Sequence, residues 1–401
     1  MHVPFCVHKC PYCDFNSHVR EAPDWDAYGQ ALKTELEGWS RHPAFAGRRL
    51  STVFFGGGTP SLAPPSLISE LLEAADRLFG IEADAEITME ANPGASEAAR
   101  FAACRAAGVN RLSLGVQSFS DAELASLERI HDARQAEDAY AQARAADFAN
   151  INLDLIYGLP GQTMGDWLES LERAIALAPE HLSCYQLTVE PHTQLAVRHH
   201  RRPLPLPDDE TALAFLHRTR ERLREAGFEA YEISNHARPG HHCRHNDGYW
   251  RYHDYIGIGA GAAGKWDVTA TLAAKDNAEC GGAARYANLR SPEGYVAAIR
   301  QRGRAVLARE ALDASTAMAE AAWLGLRRAD GISRAAFRER FGVDPAARFR
   351  DAFENWRARR CLSISREAIA LTPSGVGLAD AVAASLFQSL DDANEAESKS
   401  S

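Results

Sequence analysis

His2-Val-Pro-Phe-Cys-Val-His-Lys-Cys-Pro-Tyr-Cys-Asp-Phe15 carries three cysteines, Cys6, Cys10 and Cys13, in a C-x3-C-x2-C run. Three thiolates this close in sequence can each bind a different iron of one iron–sulfur cluster. A cubane has four irons, so the run leaves one iron for a small chelating molecule. Two other readings stay open on these residues alone. One is a zinc site completed by His2, His8 or His18, and the other is three unconnected buried thiols. Zinc sites usually pair a C-x2-C unit with a distant second unit, and the chain has none.

Outward from this run, short β-branched or apolar stretches alternate with longer helical patterns. Thr52–Phe55, Glu86–Met89, Arg111–Val116, Asn150–Leu155, His181–Leu187 and Ala230–Ile233 read as strands. Ser66–Phe79, Glu97–Ala107, Ala133–Ala146, Trp167–Leu177 and Asp209–Glu225 have helical period and length. Such alternation predicts an α/β fold with a parallel sheet, open or closed. Gly56-Gly-Gly-Thr-Pro60, Glu90, Gln117 and Asp154 fall at or just after strand ends, the rim where parallel barrels place their chemistry. Singly they read as turn glycines, a solvated acid, a strand-end amide and a cap. Together they favour a partial (β/α)6 barrel over residues 1–235.

From 236 to 290 the periodicity gives way to Gly, Ala and aromatic residues. Residues 291–387 read as a mostly helical, winged-helix-like domain with a small β-hairpin, and 388–401 as a disordered polar tail. The 401 residues carry a net charge of −10, with 46% hydrophobic and 24% charged residues. That balance excludes a nucleic-acid-wrapping surface, which needs clustered Lys and Arg. No apolar run is long enough for a membrane span, and no signal pattern opens the chain. Eight cysteines, five of them scattered, suit a reducing, cytoplasmic setting. The basic Arg198-His-His-Arg-Arg202 run reads as a solvated loop.

Gly56-Gly-Gly leaves bare backbone that a ligand can approach closely. It is not a phosphate loop, because no Lys-Ser/Thr follows. Arg129, in Glu128-Arg-Ile-His131, could pair with a carboxylate bidentately or stay a solvated helix-end cation. His245-Asn-Asp-Gly-Tyr-Trp250 sets an imidazole among aromatic rings, beside His241, His242 and Cys243. Such a segment suits a haem ligand or a plain loop cluster.

With these motifs the chain resembles the oxygen-independent coproporphyrinogen III oxidase-like family of radical S-adenosylmethionine (SAM) proteins, and within it the HemW haem chaperones. The resemblance runs over about residues 1–385. It implies a [4Fe–4S] cluster on Cys6, Cys10 and Cys13. It also implies SAM contacts at Tyr12, Gly57, Gly58, Thr59, Glu90, Gln117, Arg129 and Asp154. By the same resemblance His245, Tyr249 and Trp250 bind haem, with His242 and Cys243 as competing ligands. The oxidases carry a further cysteine where this chain has Phe15, and their long N-terminal extension is expected to be lacking. The family's first strand begins a few residues earlier, so a curtailed first strand is expected here. Gly257-Ile-Gly-Ala-Gly-Ala-Ala-Gly264 has alanines where relatives carry Pro and His, which leaves that loop a backbone role.

The expected function is a haem chaperone that delivers haem to acceptor proteins such as membrane respiratory enzymes, with no nucleic-acid partner and with a homodimer as one open oligomeric state. The rival is a true oxidase, in which a 5′-deoxyadenosyl radical attacks a propionate of coproporphyrinogen III.

Overall fold

The computed structural model describes residues 1–94, 100–267 and 282–388; the expected tail lies outside them except for its first residue. The main sheet runs through β1 (His2–Val3), β4 (Leu50–Gly57), β5 (Ile81–Ala91), β6 (Arg111–Gln117), β7 (Ile151–Tyr157) and β8 (His181–Gln186), all parallel neighbours in that order. A small parallel pair, β2 (Phe5–Cys6) and β3 (His18–Val19), sits before the first long helix, Trp25–Ser40. The partial six-stranded α/β barrel expected from the sequence is the observed fold. Its first strand is only two residues long.

Period-two alternation gives each strand two faces. Val53, Phe55, Leu112, Leu114, Val116, Leu153 and Leu155 point outward into the large apolar core beneath the helices. Pro65–Phe79 presents Leu67, Ile68, Leu71, Leu72 and Phe79 to that core. Met164–Ala176 is fixed at its start by a reciprocal capping box of Thr163 and Asp166. The inward face is polar. Ser113 donates to Asp154 (3.0 Å), Asn152 donates to Ser113 (2.7 Å), and Ser183 donates to Asn152 (3.1 Å). Burying these groups costs little because each finds a partner on the next strand.

Several elements differ from the sequence reading. The strand expected at Ala230–Ile233 is instead β9 (Glu229–Ala230), a turn, and β10 (Asn235–Ala237), both added antiparallel. Glu232 makes that turn by accepting from Ser234 N (2.8 Å) and Asn235 Nδ2 (2.6 Å). The Arg198–Arg202 run is not a loop. Its first four residues form the C-terminal half of the helix Gln194–Arg201, capped by Thr193, and its arginines suit the negative end of a helix dipole. The helix Trp25–Ser40 is additional to the helices expected from the sequence. In the C-terminal region the helices Pro345–Arg348 and Arg350–Ala358 are separated by a break at Phe349.

Beyond the barrel, β11 (Ala263–Asp267), β12 (Ala283–Asn288) and β13 (Val306–Leu312) form an antiparallel sheet that the sequence did not reveal. The C-terminal region has the winged-helix-like character expected. Helices Ala314–Arg327, Arg334–Phe341 and Arg350–Ala358 pack against β14 (Ile332–Ser333), β15 (Leu362–Ile364) and β16 (Ala368–Leu371) around Phe337, Phe349, Phe353 and Trp356. Among the described residues no helix is long and apolar enough to cross a membrane.

Glu35 ties the N-terminal strand to the glycine loop. The residue is 3% exposed. It accepts from Gly259 N (2.9 Å), Asn288 Nδ2 (2.7 Å) and Tyr295 OH (2.6 Å). Gly259 in turn lies against His2, where a Cβ would come within 2.4 Å of the carbonyl oxygen. Truncation orphans three buried donors, so Glu35→Ala should cost about 2–4 kcal/mol in urea unfolding. An unchanged midpoint would contradict this account.

Candidate functional site

The cysteine loop leaves β2 at Cys6 and turns at Cys10, whose carbonyl accepts from Cys13 N (3.1 Å). Cys6 and Cys10 are buried and Cys13 is partly exposed. Two of the sulfurs are joined through a chain of hydrogen bonds. Thr59 Oγ1 donates to Cys6 Sγ (3.5 Å), and Asn92 Nδ2 donates to Thr59 Oγ1 (2.9 Å). Arg129 Nη2 donates to Asn92 Oδ1 (2.6 Å) and to Gly115 O (2.7 Å), while Nη1 donates to Cys10 Sγ (3.4 Å). Burial pushes the Cys6 thiol up, and the Thr59 hydrogen bond offsets part of that rise. The three cysteines on one loop, two of them hydrogen-bonded at sulfur, form a donor set that fits an iron–sulfur cluster. A cubane spreads its thiolates over separate irons. Among the described residues no three His, Cys, Asp or Glu side chains close on one metal ion.

Gly57 and Gly58 bring the end of β4 against this loop. Gly57 has φ +123°, and a Cβ there would sit 2.5 Å from the His2 ring. At Gly58 a Cβ would meet Phe5 O at 2.6 Å and Cys6 Sγ at 3.0 Å. Only glycine allows this approach. A depression beside the loop is lined by Val7, His8, Cys10, Thr59, Asn92, Arg129 and Ile130. Tyr12 is packed between Arg129 and the small apolar cluster of Leu127, Leu159 and Leu195. Burial works against the Arg129 charge, but Tyr12 and Cys10 outweigh it and hold its pKa above the usual value.

Glu90 Oε2 accepts from Gly57 N (3.0 Å). Its carboxyl is pushed up to about 7, first by burial and then by the facing Asp154 charge. Asp154 is itself raised by burial. Gln117 ends β6 with φ +71°, where the β6–β7 register skips. A left-handed non-glycine residue at a strand end stores strain and re-aims the side chain. The rim residues expected from the sequence are thus gathered: Gly57 on Glu90, Glu90 against Asp154, Thr59 and Arg129 on the sulfurs.

The second expected site is divided. His245 opens the short helix Arg244–Trp250, whose N-terminus is capped by Glu86 of β5. That carboxylate accepts from Arg244 N (2.9 Å), His245 N (3.0 Å) and Cys243 Sγ (3.3 Å). The His245 ring stacks on Phe54 (5.0 Å, 24°) and meets the Tyr249 ring edge-on; Tyr249 meets Tyr255 the same way (4.7 Å). Burial, the N-terminal amine and Arg111 depress its pKa to about 3, so the imidazole is neutral. Trp250 is turned away from this group toward the C-terminal region, with Arg327 over its ring (4.6 Å). Tyr252 also leaves, packing with Lys265 (3.6 Å) in the C-terminal core. Of the competing ligands, Cys243 is buried with its thiol pushed up to about 12, and His242 lies on Tyr231 (4.5 Å).

Sequence reasoning missed Asn92, Thr52 and Phe54. Asn92 sits two residues after Glu90 in the same rim segment, a signal that was present. Thr52 and Phe54 share the inward face of β4 with Gly56, which strand periodicity alone implies.

The chain is similar to known proteins in both regions. Residues 1–174 match the model of the radical SAM superfamily, and 312–378 that of the HemN C-terminal domain. "Heme chaperone HemW" of Escherichia coli (strain K12) is 47% identical over 268 residues, 66% of this chain and 69% of that protein. "Heme chaperone HemW" of Mycobacterium tuberculosis (strain CDC 1551 / Oshkosh) is 36% identical over 96% of this chain and 94% of its own length. The solved structure of the radical SAM enzyme coproporphyrinogen III oxidase (HemN) from Escherichia coli shares the fold, with a TM-score of 0.78 at 24% identity over 96% of this chain and 88% of that one.

Glu90 gives a testable pH dependence. Its raised folded pKa means the native state favours the protonated acid. That contribution is fully present below about 4.5 and is lost as pH rises through about 7. Glu90→Gln should therefore gain about 1–2 kcal/mol over the unaltered protein at pH 8, discounted for solvent contact, and almost none at pH 4.5. Equal gains at the two pH values in urea unfolding would refute this.

Proposed function

We propose, for a chain that belongs to the HemW haem chaperones of the radical SAM superfamily, that it holds haem through His245 and passes it to haem-requiring acceptor proteins, respiratory enzymes among them. The observation that carries this reading is the setting of His245: a neutral imidazole walled by Phe54, Tyr249 and Tyr255. Neutral imidazole is the form that binds metal, and flat rings suit an apolar macrocycle. Tyr249 belongs to that wall. Trp250 supports the same helix from its far side, through Arg327.

Cys6, Cys10 and Cys13 would hold the [4Fe–4S] cluster. A cluster that keeps one iron for SAM supplies one-electron chemistry when both are bound. Around it, Arg129 supplies a positive charge for a carboxylate, its Nη donors being held by Asn92, Gly115 and Cys10. Glu90 and Asp154 supply acceptors in the lumen, and Gly57 and Gly58 admit a ligand close to the backbone. Tyr12, Thr59 and Gln117 complete that shell. The same reading places the protein in the reducing cytoplasm, with Cys104, Cys184 and Cys361 as inert buried thiols.

Two experiments test it. Anaerobic hemin titration of the cluster-reconstituted protein, followed at the Soret band, should saturate and weaken at least ten-fold in His245→Ala. Binding that does not saturate, together with consumption of coproporphyrinogen III, would favour the oxidase instead. Separately, Cys6→Ala, Cys10→Ala and Cys13→Ala should each lose the iron–sulfur absorbance. An intact chromophore in all three variants would remove the cluster from this loop.

A further inference from the structure

Neither ring nitrogen of His245 is vacant. Thr52 Oγ1 lies 2.8 Å from Nδ1, and the Tyr249 hydroxyl lies 3.0 Å from Nε2. A haem iron needs a nitrogen lone pair, so one of these bonds must open before the imidazole can become an axial ligand. The two partners differ in chemistry. A phenol is a stronger acid than an aliphatic alcohol, so Tyr249 is the better donor and Thr52 the better acceptor. This assigns the proton to Nδ1, donated to Thr52, and the lone pair to Nε2, covered by the Tyr249 O–H.

The partners also differ in mobility. Thr52 lies inside β4, paired with Glu86 of β5, and its backbone cannot leave without breaking the sheet. Tyr249 is near the end of a seven-residue helix, and the residue is partly exposed beside Tyr255. A rotation of one side chain frees Nε2, while the stack on Phe54 and the bond to Thr52 keep the imidazole in place.

We infer that Thr52 is a positioning residue that fixes the tautomer and orientation of His245, and that Tyr249 is a latch that covers Nε2 until haem iron displaces it. The inference rests on the reading that haem binds at His245. Thr52 would hold the nitrogen that does not bind iron, as acceptors behind metal-bound histidines do. The latch also explains how an imidazole poised for iron stays satisfied before haem arrives.

The test is hemin titration and stopped-flow association on the cluster-reconstituted full chain, with thermal melting to verify folding. Thr52→Val should weaken hemin binding about ten-fold and raise the ferric/ferrous midpoint potential, because the ligand loses an acceptor that increases its basicity; Thr52→Ser should restore both. Tyr249→Phe should bind hemin faster and about five-fold more tightly, since one opposing hydrogen bond is gone. Should Thr52→Val fail to fold, Thr52→Ala takes its place with the same expectation. Unaltered affinity and potential in the Thr52 variant overturn the positioning role. A Tyr249→Phe variant as weak as His245→Ala overturns the latch and makes the Tyr249 hydroxyl a group that holds haem. Wild-type binding by His245→Ala instead overturns the haem assignment itself, which separates the two failures.

Discussion

The close approach of β4 to the cysteine loop is the constraint on which the rest of this molecule depends. Gly58 lies against the Phe5 carbonyl and the Cys6 sulfur with no room for a Cβ, and Gly57 lies against His2 in the same way. With the strand end this near, Gly58 N reaches Val3 O (2.8 Å) and Thr59 N reaches Phe5 O (2.8 Å). The loop is thereby stitched to the rim by backbone bonds before any side chain acts. Thr59, Asn92 and Arg129 then connect Cys6 to Cys10 across the ends of β4, β5 and β6. A side chain at Gly58 would push the loop outward, and every link in that chain would lengthen.

The inward face of this partial barrel is partly covered by the protein's own chain. The helix Arg244–Trp250 rests on the inward face of β4 and is anchored by the Glu86 carboxylate, which takes two amides at its positive end. Asn246 reaches Tyr231 (3.3 Å), and Asp247 pairs with Arg328 (2.8 Å) of the C-terminal region. One short helix therefore carries His245 toward the lumen and Asp247 and Trp250 toward the C-terminal core. Any displacement at His245 is felt on both sides.

Phe54 is the wall between the two sites. Its ring stacks on His245, and it also lies beside Gly56, where a Cβ would come within 2.9 Å of the ring and 3.3 Å of Glu90 Oε2. The imidazole and the lumen carboxylate are separated by that one aromatic layer. Glu90 lies on the side of the cysteine loop and His245 on the other, with the Phe54 ring between them.

The sequence by itself determined the parts whose signal is local. The C-x3-C-x2-C run, the glycine triplet and the strand–helix alternation identified the barrel, because thiolate spacing, bare backbone and hydrophobic period are each written within a few residues. Capped helices such as Asp209–Glu225 fell where their periodicity placed them. Only the tertiary structure decided which of those parts meet. It turned Trp250 away from His245, made a helix of the Arg198–Arg201 cations, and formed β13 from a stretch that gains a partner only when β12 lies beside it. It also joined Thr52 to His245 across 193 residues of chain. Such a contact is set by how strands and helices stack rather than by any pattern in the intervening residues, and long-range packing leaves no periodic mark in the sequence.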